Sequence, residues 1–236
     1  MKLTTINHVE TSSICSNACQ YCPSPHVKEH RPVGFMTMET FQKVMDWVDI
    51  CVKRGTQTEL NLHGIGEPTL NPHIVDFVRM AREHVPPGFG IHFNTNGNHM
   101  TDELAGKLKE AGISHIDVTL HNTRVSADCL RILANHNIAC NISVDFVTYP
   151  HDWAGQVDWL KPTYVLQCGW VYKGMGVVLW DGTIVTCCID AFATKKLGSV
   201  LTNNLDDIDL EHYELCKKCH HVPPDVWQRN RCDQRS

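Results

Sequence analysis

The chain has 236 residues, 42% of them hydrophobic and 20% charged, with a formal net charge of −5. That length supports one sizeable core, with or without a small appendage, and the acidic balance argues against a broad nucleic-acid-binding surface. No apolar run approaches the roughly eighteen residues of a membrane span. The N-terminus lacks a basic-then-apolar signal pattern, so a cytoplasmic protein without membrane association is expected. Twelve Cys is high for a chain of this size, and it points to metal or redox chemistry more than to a disulfide scaffold.

In chain order, residues 4–10 read as a first strand, with Thr5, Ile6 and Val9 among polar neighbours. A proline- and glycine-broken loop follows over 11–36. Thr37 has the place of an N-cap, and Phe41, Val44, Met45, Val48 and Cys51 follow at helical spacing, stopped by Gly55. A second strand is expected over 59–63, then the turn Gly64-Ile65-Gly66-Glu67-Pro68. Asn71-Pro72 starts a helix through Ile74, Phe77, Val78 and Ala81. A third strand over 90–94 closes on Thr95-Asn96-Gly97. Thr101 caps a helix that Gly112 ends. A strand over 116–120, a helix over 126–135, a strand over 138–147, a short helix near 152–160 and a strand over 163–166 complete the alternation. Such alternation calls for a parallel sheet covered by helices; periodicity alone leaves open whether the sheet is doubly wound or a barrel. After 167 the pattern changes to a hairpin over 177–185 with an Asp181-Gly182 turn, and then to a Cys-rich continuation.

The chemistry is concentrated in Cys15, Cys19 and Cys22, a C-x3-C-x2-C spacing just after the first strand. Three thiolates hold three irons of a [4Fe–4S] cluster and leave the fourth open to a non-protein ligand. A structural zinc site wants a fourth ligand, and residues 23–25 supply none. The spacing, with the aromatic Tyr21 before the last Cys, resembles the radical S-adenosylmethionine (SAM) family. That resemblance covers about residues 5–165. It implies a partial (β/α)6 TIM-like barrel, SAM bound at the open iron, and a 5′-deoxyadenosyl radical made by reductive cleavage. Active sites in such folds lie at the strand C-termini.

The resemblance also implies cofactor-binding roles. Gly64, Gly66, Glu67 and Pro68 are similar to the family's Gly-Gly-Glu-Pro turn for the SAM amino group, the match being good from Gly66 onward. Tyr21 has the position beside the adenine. Asn94, Asn96 and Thr119 are further SAM-site candidates, with Asn141 and Ser143 weaker ones. For acid–base work, His121 and Asp145 are the preferred candidates among several residues near strand ends, which include His63, His92 and Arg124.

A second cysteine set follows. Cys168, thirteen residues, Gly182, four residues and Cys187 resemble the opening of SPASM and twitch domains, and Cys216 and Cys219 complete four thiolates. The resemblance implies a radical SAM domain over 1–166 and a twitch/SPASM-like domain over 167–236 with an auxiliary [4Fe–4S] cluster. A four-cysteine zinc site uses the same thiolates. Cys188 is an alternative ligand and Cys232 reads as a free thiol. Cys51, Cys129 and Cys140 read as small buried hydrophobes.

Together these imply a radical SAM oxidoreductase or isomerase that takes a hydrogen from a small biosynthetic substrate, supplied with electrons by a reductant such as flavodoxin or ferredoxin. In size and auxiliary-cysteine layout the chain is similar to a two-electron alcohol dehydrogenase acting on an aminocyclitol. The alternatives are a peptide maturase, an isomerase acting on a nucleoside or DNA base, and a non-catalytic zinc protein.

Overall fold

The computed structural model describes residues 1–121, 123–144, 151–160 and 168–221. Five parallel strands lie side by side in the order β5-β4-β3-β2-β1: β1 (Thr5–Val9), β2 (Glu59–Asn61), β3 (Gly90–Thr95), β4 (His115–Thr119) and β5 (Ala139–Ser143). Four helices connect them: α1 (Met38–Lys53), α2 (Ile74–His84), α3 (Asp102–Ala111) and α4 (Thr123–Asn135). The expected alternation is therefore present through β5. Residues 145–147 of the fifth expected strand, and the sixth at 163–166, lie outside the described residues.

The helix starts follow from their caps. The Thr37 and Thr101 side chains accept the backbone N–H groups of Thr40 and Leu104, both at 3.1 Å, and satisfy donors that a helix start leaves orphaned. Gly112 ends α3 in the left-handed conformation, φ +93°. Asn71 starts its helix less directly than expected. It closes a 3-10 turn over Pro68–Leu70, and its side chain accepts the His73 N–H at 2.9 Å. Regular α-helix begins only at Ile74.

One face of the sheet is apolar. Ile6, Val9, Leu60, Leu62, Ile91, Phe93, Ile116 and Val118 are fully buried in one core with Phe41, Phe77 and Leu108 from the helices. Because strand side chains alternate, the intervening residues occupy the other face, which is polar. There Asn141 donates to Asp117 at 2.9 Å, and the His92 and His115 rings stack with centroids 4.3 Å apart. A polar face opposite the helices is where a site can be built.

The C-terminal part extends the same sheet. β6 (Met175–Val178) pairs in parallel with β1 on the side away from β2. β7 (Thr183–Val185) and β8 (Lys196–Ser199) then add antiparallel strands, β8 having gone unread in the sequence. The expected hairpin turn is present: Gly182 has φ +85° and the Asp181 carboxylate accepts the Thr183 N–H at 3.0 Å. Val178, Ile184, Leu205 and Ile208 join the main core.

The expected helix at 152–160 is absent; that segment is a series of turns. Trp153, Ala154 and Gly155 all have positive φ, +54°, +58° and +80°, which a right-handed helix does not tolerate. Tertiary contacts hold the segment in this shape. The Trp153 indole N–H donates to the Tyr21 carbonyl at 2.9 Å, and the Gln156 amide donates to the Ile189 carbonyl at 2.6 Å. The segment thus straps the first cysteine loop to the second cysteine region.

Candidate active site

The first three cysteines lie in the loop after β1, at the C-terminal end of the parallel strands. Cys15, Cys19 and Cys22 line a cavity of about 300 Å³, the lower end of the range for small-molecule sites. Tyr21, Gly64, Gly66, Glu67, Asn94, Asn96, Thr119 and His121 line it too. Of the cofactor-binding candidates, Pro68 and the weaker candidate Asn141 do not line the cavity, whereas Ser143 does; Pro68 is buried at the start of the 3-10 turn. Asp145 lies outside the described residues.

The geometry suits thiolate ligands. Cys15 Sγ accepts from the Asn17 N–H at 3.4 Å and from the Asn96 side-chain amide at 3.7 Å, and Cys22 Sγ accepts from the Ser24 N–H at 3.5 Å. Hydrogen bonds to sulfur stabilise negative charge there and tune a bound cluster. Burial pushes the Cys22 thiol up to about 12, so metal binding has to displace its proton. Among the described residues, no three His, Cys, Asp or Glu side chains are grouped to hold a metal ion directly. A cubane carries its thiolates on separate irons and does not need its ligands to converge on one point.

Gly66 is required by close packing. A Cβ there would lie 2.4 Å from the Ser12 carbonyl oxygen and 2.7 Å from Ile14 backbone atoms. The close approach lets the Gly66 and Glu67 N–H groups donate to the Ser12 and Ile14 carbonyls, at 3.1 and 2.8 Å. The turn is thereby fastened to the start of the cysteine loop.

Glu67 is 2% exposed, and its carboxylate is engaged by protein donors. One oxygen accepts from the Thr69 N–H and hydroxyl and from the Thr95 hydroxyl, and the other accepts from the Asn96 N–H at 2.8 Å. Its visible work is to lock the turn after β2 to the turn after β3, which aims Asn96 at Cys15. Glu67→Gln would place an amide NH2 against one of these donors. We expect a loss of about 1–3 kcal/mol, read as a lower denaturation midpoint with an unchanged slope.

His121, just after β4, is stacked on Tyr21 with ring centroids 5.8 Å apart. Its Nδ1 is hydrogen-bonded to the Tyr21 hydroxyl and lies 3.8 Å from Cys19 Sγ. Burial pushes the imidazole pKa down.

The second cysteine set also comes together. Burial raises the Cys187 thiol well above its usual range, with Cys188 and Cys216 adding to the effect. Burial also raises Cys219 to about 11, with Cys216 and Cys168 adding to it. The His221 N–H donates to Cys219 Sγ at 3.4 Å, and the Asp190 N–H donates to the Cys187 carbonyl oxygen at 3.2 Å. Cys188 shares this neighbourhood. Cys51 and Cys129 are buried in the core, and Cys140 packs against it.

A smaller cavity of about 120 Å³ separates the two sets. It shares His63, Gly64, Ile65 and Trp153 with the first cavity, and Cys187 and Cys188 line its far side. Trp153 carried no local signal in the sequence, because its place depends on contacts far along the chain.

The family model for the radical SAM superfamily matches residues 9–142, more than half of the chain. The chain belongs to the radical SAM superfamily. Members of this family are enzymes that use a [4Fe–4S] cluster and SAM, as the first cysteine set implies. A SAM-dependent 2-deoxy-scyllo-inosamine dehydrogenase of Niallia circulans is 31% identical over 120 residues, 51% of this chain and 46% of that protein. A tungsten-containing aldehyde ferredoxin oxidoreductase cofactor-modifying protein of Pyrococcus furiosus is 31% identical over 106 residues, 45% of this chain and 28% of that protein. Each match thus spans less than half of the curated relative. The crystal structure of BtrN in complex with AdoMet and 2-DOIA superimposes with a TM-score of 0.69 at 22% identity, over 97% of this chain and 87% of that one. The partial-barrel radical SAM fold is therefore present. No described helix is long and apolar enough to cross a membrane.

Proposed function

We propose that this radical SAM protein oxidises a small hydroxylated substrate by two electrons. Cys15, Cys19 and Cys22 hold the catalytic cluster, and Cys168, Cys187, Cys216 and Cys219 hold an auxiliary one, in a twitch-like region from 167 onward. The supporting observation is the pair of adjoining cavities, one lined by Cys15, Cys19 and Cys22 and the other by Cys187 and Cys188. When bound, SAM and the two clusters supply a radical that abstracts hydrogen and an acceptor for the second electron.

The chain's own residues position these groups. Asn96 and the Asn17 and Ser24 amides stabilise the first thiolates, and Glu67 fixes the turn that frames them. Tyr21 and His121 form the wall beside Cys19, and His121 is the acid–base candidate facing the cavity. Cys187 is favoured over Cys188 as ligand because it follows Gly182 with four residues between them. The dehydrogenase relative makes an aminocyclitol alcohol the first substrate to try, with flavodoxin or ferredoxin as the electron source.

Anaerobic reconstitution followed by iron, sulfide and zinc analysis tests the reading. About eight irons per chain are expected, about four per cluster, with 5′-deoxyadenosine formed under reduction. About four irons with one zinc would remove the auxiliary cluster and its electron role. A colourless protein binding zinc alone would end the enzymatic reading.

A further inference from the structure

His63 follows β2 at the junction of the two cavities and lines both. Its ring is fixed by its neighbours. The Asn94 backbone N–H donates to Nδ1 at 3.3 Å, so Nδ1 is an acceptor without hydrogen. The ring therefore carries its proton on Nε2. The His8 ring packs edge-on against it, with centroids 4.9 Å apart. His8 is fixed in turn, accepting from the Asn61 amide at 3.2 Å on Nε2 and facing the Asn7 carbonyl oxygen on Nδ1. Burial, with smaller contributions from His8 and His92, keeps His63 uncharged at neutral pH. Among the described residues no hydrogen bond is made to Nε2, and the ring lines both cavities, so its N–H is available to them.

The remaining polar groups of the smaller cavity are already committed. Glu10 and Arg31 bind each other through two hydrogen bonds, at 2.9 and 2.6 Å. Asp190 accepts from the Thr194 N–H and hydroxyl and from the Lys195 N–H. Val177, Leu179 and Val185 supply apolar wall. An anionic ligand group would find no free cation among the described lining residues, since Arg31 is paired with Glu10, and would bear its full desolvation cost beside Asp190 and the Cys187 and Cys188 sulfurs. An uncharged ring loses little on entering, and one oxygen on it can accept from His63. A cavity of about 150 Å³ holds a benzene-sized ring, so the space of about 120 Å³ is of that order.

We propose that the cavity between the two cysteine sets binds an uncharged, ring-sized, oxygen-bearing part of the substrate, and that the His63 Nε2–H is the donor that selects for that oxygen. This rests on the oxidation reading above and narrows it. Any anionic group of the substrate lies outside this cavity. With Nδ1 held by the Asn94 N–H, His63 serves as a donor and not as the base.

The test uses the reconstituted protein with SAM bound and two probes, cyclohexanol and cyclohexanecarboxylate, followed by anaerobic ligand-observed NMR. Cyclohexanol is expected to bind at least tenfold more tightly than cyclohexanecarboxylate. His63→Phe should weaken cyclohexanol at least fivefold, whereas His63→Gln, whose amide N–H falls near the Nε2 position, should stay within about twofold. Val177→Phe, which fills the cavity, should abolish binding. Equal binding of the two probes to the wild-type protein overturns the proposal without recourse to any variant. So does cyclohexanol binding that survives both His63→Phe and Val177→Phe. Formation of 5′-deoxyadenosine by the wild-type protein, measured alongside, separates the two readings. Its absence removes the radical reading itself, whereas its presence without cyclohexanol binding removes only this assignment.

Discussion

Replacement of Cys15, Cys19 and Cys22 together by alanine should abolish 5′-deoxyadenosine formation while leaving about four of the eight irons in place. The three residues lie in one loop and line one cavity, so their loss removes every proposed protein ligand of the first cluster at once. Reductive cleavage of SAM needs an electron delivered to its sulfonium, which the cluster held by these thiolates would supply. The expected drop is therefore to the assay background, at least about a thousandfold, equivalent to roughly 4 kcal/mol or more of barrier. The second set lies beyond 167 on other loops, with its own N–H donor, from His221, to Cys219 Sγ. It should keep its iron and its absorbance. The three sulfur sites are only half-buried, so the metal-free variant should unfold within about 1 kcal/mol of the metal-free wild type. Loss of all iron from the triple variant would mean that the second set is no independent centre. Retained cleavage would mean that the first set has been assigned wrongly.

The parts of this molecule that were legible in the sequence are the local ones. Ile74, Phe77, Val78 and Ala81 recur at helical spacing because one face of α2 must be buried. Leu60 and Leu62 alternate because β2 has one face on the core. Thr37, Thr101 and Gly112 announce helix ends through bonds made within a few residues. The first cysteine set stood out as a motif because its spacing is local, whereas the second, spread over 168–219, was read by resemblance. The failures have one cause. The 152–160 segment has apolar residues compatible with a helix, but its shape is set by Tyr21 and Ile189, more than thirty residues away in either direction. The extension of the sheet by β6, β7 and β8 depends on β6 finding β1, about 170 residues earlier. His63 appeared as one histidine among many. Only the Asn94 N–H, brought beside it by strand pairing, gives it a defined tautomer. Glu67 was read for its place in a SAM-binding turn; that its carboxylate also joins two loops depends on Thr95 and Asn96, about thirty residues further on.

Arg31→Ala should be the most damaging single substitution for stability, lowering it by about 3–5 kcal/mol. Arg31 and Glu10 are almost wholly buried, with side chains 3% and 1% exposed. The guanidinium meets the carboxylate through two parallel hydrogen bonds, and its Nε–H donates to the Ala191 carbonyl at 2.8 Å. The carboxylate also faces the Ile65 and Trp180 N–H groups, each at 3.4 Å. Burial pushes the Glu10 carboxyl pKa up, and Arg31 opposes that shift. Removing Arg31 leaves the first effect unopposed: the carboxylate must either stay charged in a dry site or take up a proton. For a chain of this size each kcal/mol corresponds to about 2–4 °C, so a fall in Tm of roughly 6–20 °C is expected. Arg31→Lys should recover part of it, since an ammonium keeps the charge but loses the planar fork. Replacing both partners together, as Glu10→Met with Arg31→Met, should cost less than Arg31→Ala alone, because no buried charge is left unpaired. The pair joins the end of β1, the first cysteine loop, the turn after β2 and the loop after Cys188. Its loss should therefore loosen both cysteine sets together, read as faster iron release to a chelator from each. An Arg31→Ala protein with a Tm within about 2 °C of wild type would show that these four segments hold together without the pair.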